Sequence, residues 1–83
     1  MRVADGVGIE VDGDVVYAAP LPDGPIMVLQ GVAALIWTVS AGLERGDVAG
    51  VVAERTGADV ASIRADIDAF LREMLERGLL VED

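Results

Sequence analysis

At 83 residues the chain has the length of one domain with one modest core, since folding at this size buries roughly 60 to 65 per cent of the unfolded surface. Fifteen acids against six arginines, with no lysine, give a net charge of -9, which opposes binding to nucleic acid because that binding rests on neutralising phosphates. The absence of cysteine and histidine removes disulfides, thiolate nucleophiles, Cys-type zinc sites and the commonest general base.

In chain order, Met1 to Gly6 meets an acid and a glycine before any apolar stretch develops, so it does not read as a signal peptide, and a cytoplasmic location is expected. Val7, Ile9 and Val11 alternate with Gly8 and Glu10 as a half-buried strand, and Asp12-Gly13-Asp14 supplies a tight turn into a second strand, Val15 to Ala19. Pro20, Pro22, Asp23, Gly24 and Pro25 make a second turn-rich link, because proline fixes φ and pushes the preceding residue towards extended geometry. Ile26 to Leu29 then forms a third strand that completes a small antiparallel meander.

From Val32 the period changes. Leu35, Ile36 and Val39 fall at helical spacing beside Trp37, with Gly42 as the stop, and Trp37 is expected in the core. This is the longest apolar run, and it is far short of the roughly 18 to 20 residues of a membrane span. Asp47 is the expected N-cap of a second helix, Val48 to Thr56. Asp59 caps the longest helix, Val60 to Arg77, on which Val60, Ile63, Ile67, Phe70, Leu71, Met74 and Leu75 form one apolar face and Gly78 marks the end. Leu79 to Val81 is a short extended tail packing back on the sheet or on the end of the third helix, with Glu82 and Asp83 exposed.

The expected architecture is α+β, a winged helix-turn-helix in which a three-stranded antiparallel N-terminal sheet precedes three helices, all within a single domain over residues 1–83. No constellation for catalysis emerges. Asp12 and Asp14 sit in a hairpin turn, and Asp66 and Asp68 point two ways around a helix. No glycine cluster links a strand to a helix with a nearby lysine, and the serines and threonines lack a base. No enzyme activity, metal or cofactor is expected.

The feature with functional potential is the third strand. Ile26 to Leu29 carries neither charge nor internal proline, and a strand edge of that kind must be covered, charged or used. Either the tail or a second copy covers it, or it accepts an added peptide strand.

Val28-Leu29-Gln30-Gly31, Ala34-Leu35-Ile36-Trp37, then Asp66-Ile67, Phe70-Leu71, Met74-Leu75 and Gly78-Leu79-Leu80 resemble the PqqD-like family of RiPP precursor recognition elements, over about Asp5 to Leu80. Leu29-Gln30 stands where members of that family often carry Leu-Asn, and the Pro20 to Pro25 link is richer in proline than theirs, so the RiPP class stays open between lasso, thioether-bridged and quinone-cofactor products.

The resemblance implies binding of the leader of a ribosomally made precursor peptide as a strand antiparallel to the third strand, in its cleft with the third helix. It also implies delivery to a modifying enzyme or leader peptidase. Carried onto this chain, the peptide-binding residues are Ile26, Met27, Val28 and Leu29 on the strand and Arg64, Ile67, Asp68, Leu71 and Leu75 on the helix. A helical wheel places Arg64, Asp68, Leu71 and Leu75 on one edge of the apolar stripe and Asp66, Phe70 and Arg77 on the other, and the first edge is the expected lining. The alternatives are a structural module that dimerises through the strand edge and, less favoured, a DNA-binding regulator. Against the regulator, the third helix carries three arginines and four acids. The protein is expected as a monomer or homodimer, without membrane or nucleic-acid partners.

Overall fold

The structure is a computed structural model that describes residues 1–82. Its elements are β1 (Arg2–Val3), β2 (Val7–Asp12), β3 (Val15–Pro20), β4 (Met27–Gln30), α1 (Val32–Ser40), α2 (Arg45–Thr56), α3 (Val60–Glu76) and β5 (Leu80–Val81). The strands β2, β3 and β4 form an antiparallel sheet in that order, and the three helices follow it in the chain, giving the expected winged-helix arrangement.

The meander follows from its turns. Gly13, with φ of 61°, occupies the first position of a two-residue loop while Asp14 keeps a negative φ, which is the type II′ pattern that suits the twist of paired strands. Register Ile9↔Ala18↔Met27 and Val11↔Val16↔Leu29 sets these side chains on the helix-facing side of the sheet. Val16, Ala18 and Leu29 are buried there, whereas Ile9 and Val11, on the outermost strand, remain exposed. Tyr17 and Val28 pair on the opposite, outer side.

Two glycines are required by geometry. Gly24 closes the second link, its N–H bonding Pro20 O at 2.7 Å, and a Cβ placed on it meets the Pro20 ring at 2.1 Å and the Pro20 carbonyl at 2.5 Å. Gly31 joins β4 to α1 at φ 60° and ψ -125°, a conformation open essentially to glycine alone. Gly31→Val is expected to lower the unfolding free energy by about 1–3 kcal/mol in chemical denaturation. A change below a few tenths would show that the strand-to-helix turn relaxes without strain.

The core gathers Val16, Ala18 and Leu29 from the sheet, Ile36, Trp37 and Val39 from α1, Val48 and Val52 from α2, and Ile67, Leu71 and Met74 from α3. Trp37 lies in it, at 5% exposure. Ser40 is the one fully buried polar residue among those described, and its hydroxyl donates to Trp37 O at 2.7 Å. α3 is capped as expected, Asp59 accepting from the Ala61 N–H at 3.1 Å, and Arg77 forms its C-cap.

Several elements differ from the sequence expectation. α2 begins at Arg45 with Glu44 as N-cap, and Asp47, expected as the cap, lies in the first turn, where a carboxylate is equally favoured by the helix dipole. The third strand of the meander starts at Met27, because the ladder to β3 ends at Ala18↔Met27, and Ile26 after Pro25 lies outside it. Arg2–Val3 forms a strand that a two-residue run could not announce, and it is this strand that pairs with the tail, Val3↔Leu80 and Arg2↔Val81. The tail is also tied to the end of α3 by Leu79 N–H to Met74 O at 3.0 Å, while Asp83, expected exposed with Glu82, is outside the described residues. Among the described residues no helix is long and apolar enough to cross a membrane.

Candidate functional site

The order β2-β3-β4 leaves β4 at the sheet edge, since the tail pairs with β1 and not with β4. Which of its backbone groups are free follows from the hairpin. A two-residue loop makes its flanking residues, Asp12 and Val15, a hydrogen-bonded pair, and the antiparallel alternation then turns Val16 and Ala18 towards β4. Their partners Leu29 and Met27 use their N–H and C=O groups on β3. Val28 and Gln30 consequently point theirs outward, along the open edge.

Beside this edge runs α3. Its end nearer the start of β4 contributes Arg77 to a small cavity of about 130 Å³ with Pro20, Pro25, Ile26, Met27 and Leu79. Its other half contributes Ile63, Asp66, Ile67 and Phe70 to an apolar groove of about 370 Å³, completed by Val32, Ala33 and Ile36 of α1 and the end of α2. That volume falls in the range of small ligand-binding clefts. The helix thus runs antiparallel to β4, Arg77 near Met27 and Asp66 near Val32. These two spans match: the stretch Asp66 to Arg77 is about 16 Å of helix, and Met27 to Val32 is about 16 Å of extended chain.

The placement of the expected residues is uneven. Met27 and Leu29 face the helices, half-buried and buried, Val28 is exposed on the outer side, and Ile26, at 69% exposure, lies just outside the strand. Ile67 forms part of the groove floor at 2% exposure. Leu71, at 0%, is core and offers no surface to a partner. Arg64, Asp68 and Leu75 lie on the flank of α3 opposite to Ile63, Asp66, Phe70 and Arg77, and neither cavity beside β4 includes them. It is the other edge of the stripe, with Asp66, Phe70 and Arg77, that lines these two cavities. A helical wheel defines two flanks equally well, and only the path of the chain from sheet to helix decides which of them meets β4. Val32, Ala33 and Ile63 were not anticipated as groove residues. Val32, in the first turn of α1, is 58% exposed, which the structure alone reveals.

A larger hollow of about 480 Å³ at Met1, Gly42 to Gly46 and Glu82 is a loop junction tied by its own bonds: Gly42 N–H to Met1 O at 2.8 Å, the Met1 ammonium to Leu43 O, and Arg45 to Glu82 at 3.4 Å. Among the described residues no group of three or more potential metal ligands converges.

The family model for coenzyme PQQ synthesis protein D (PqqD) matches residues 17–80, which runs from β3 to the start of β5 and includes both β4 and α3. The chain belongs to the PqqD family. A solved structure described as TbiB1 in complex with the TbiA(beta) leader peptide has the same fold, with a TM-score of 0.84 over 100% of both chains at 23% sequence identity. No curated protein matches. The PqqD match spans the strand edge and the helix that flanks it, so the family region and the candidate site coincide on this chain.

Proposed function

We propose that this PqqD-family chain binds the leader region of a ribosomally synthesised precursor peptide by strand addition, the peptide lying antiparallel to β4 in the cleft with α3. It then presents the precursor to a modifying enzyme or leader peptidase in RiPP biosynthesis, and acts by binding rather than by catalysis. The observation that carries this reading is an open strand edge, with the N–H and C=O groups of Val28 and Gln30 directed outward, next to a preformed apolar groove. Backbone bonds to such an edge supply affinity without regard to sequence, and alternate side chains entering the groove supply selectivity. The TbiB1 fold, described with a leader peptide bound, supports it.

The site residues in this reading are Met27, Val28, Leu29 and Gln30 on the strand and Ile63, Asp66, Ile67, Phe70 and Arg77 on the helix, with Val32 and Ala33 closing one end. Ile26 flanks the strand. The test is calorimetric titration with the leader half of a precursor peptide encoded beside this chain's gene. One-to-one binding is expected, and its absence with correctly folded protein rejects the reading. A concentration-dependent dimer that such a peptide does not dissolve would favour a dimerisation module that uses the same edge.

A further inference from the structure

Resting on the reading of β4 and α3 as a peptide cleft, we infer that Asp66 is a specificity determinant: it selects segments with a lysine or arginine two positions from an apolar anchor side chain. Every other charged residue of α3 has an opposite charge three or four positions away: Arg64 with Asp68, Asp68 with Arg72, Arg72 with Glu76, and Glu73 with Arg77, the last pair at 3.6 Å. At those spacings Asp66 has Ser62, Ile63, Ala69 and Phe70, and none of the ion pairs found among the described residues involves it. It is also the single charged residue in the lining of the groove, whose walls are Val32, Ala33, Ile63 and Phe70. An uncompensated carboxylate at the rim of an apolar groove complements a partner that brings one large apolar group and one cation. The net charge of -9 acts in the same direction by favouring the approach of basic segments.

The spacing follows from strand geometry. In a strand added to β4, alternate side chains face the helices and the others face the outer side with Tyr17 and Val28. A side chain that fills the groove therefore has its same-face neighbours two positions away, and adjacent residues point away from Asp66. Asp66 is exposed, so exchanging it leaves the core intact.

The experiment is selection of a random dodecapeptide display library on the wild-type chain and on Asp66→Arg, with each enriched peptide retested on Val28→Pro. Among peptides that lose binding to Val28→Pro, the expected pattern is a large apolar residue with lysine or arginine two positions away on wild type, and aspartate or glutamate there on Asp66→Arg. For a synthetic peptide of the first kind, Asp66→Arg weakens binding by roughly three- to tenfold, Asp66→Asn by less, and exchanging the peptide lysine for glutamate restores it on Asp66→Arg. Peptides that depend on Val28 but show no basic preference, or one unchanged by Asp66→Arg, overturn the assignment to Asp66 and leave strand addition standing. If no enriched peptide depends on Val28, strand addition falls and the role of Asp66 falls with it.

Discussion

Val28→Pro is expected to remove most of the peptide affinity and to leave the fold in place. Proline removes one N–H and adds a ring at the same point. At Met27 or Leu29 the lost donor would belong to the β3–β4 ladder and the sheet would suffer. At Val28 the alternation set by the Asp12–Val15 hairpin turns the N–H outward, and an edge strand tolerates proline with its nitrogen towards solvent. The loss comprises one hydrogen bond, worth about 0.5–1.5 kcal/mol net, and the displacement of the neighbouring bond by the ring. Together they amount to about 1–3 kcal/mol, or roughly 5- to 150-fold in Kd. Calorimetry measures the affinity, and far-ultraviolet circular dichroism with a thermal melt verifies the fold. Unchanged affinity in the folded variant would place the peptide elsewhere, whereas an unfolded variant would show that the Val28 N–H serves β3.

Much of the fold is legible in the sequence because its signals are local. Alternation over Val7 to Val11, the Asp12-Gly13-Asp14 turn, the Asp59 cap and the apolar stripe of α3 each specify their element within a few residues. What escapes is non-local. Arg2–Val3 becomes a strand only because Leu80–Val81, at the far end of the chain, lies beside it. The start of α2 escapes for a different reason: Asp47 suits a cap and a first turn alike, so composition does not separate the two positions.

The candidate site divides in the same way. The open edge could be anticipated from Ile26-Met27-Val28-Leu29, an apolar run without charge or internal proline, and the family resemblance implied a use for it. Its directionality could not, since whether Val28 or Leu29 faces outward depends on the parity counted from the hairpin loop. Nor could the helix flank. Asp66, Phe70 and Arg77 were distinguishable as a group on the wheel, but their proximity to β4 depends on the placement of α3 across the sheet.

The sharpest consequence of that flank assignment separates Leu71 from its neighbours. Leu71→Ala is expected to reduce stability by about 2–5 kcal/mol, the cost of a truncated side chain plus the cavity it leaves. Its side chain is completely buried between Ile67 and Met74 on the core line of α3. A chain of this length has a total of about 4–12 kcal/mol, so the variant loses a large share of its stability, and its Tm falls by roughly 10–30 °C. The molecules that remain folded keep their affinity for peptide. Phe70→Ala has the converse signature, since Phe70 is half-buried at the groove wall: a weaker complex with a smaller loss of stability. Arg64→Ala and Asp68→Ala change neither quantity beyond the few tenths of a kcal/mol of a solvated helix pair. Comparing melts and titrations across the four variants decides which flank of α3 meets the peptide. A loss of affinity in Arg64→Ala that exceeds the loss in Phe70→Ala would return the site to the opposite flank.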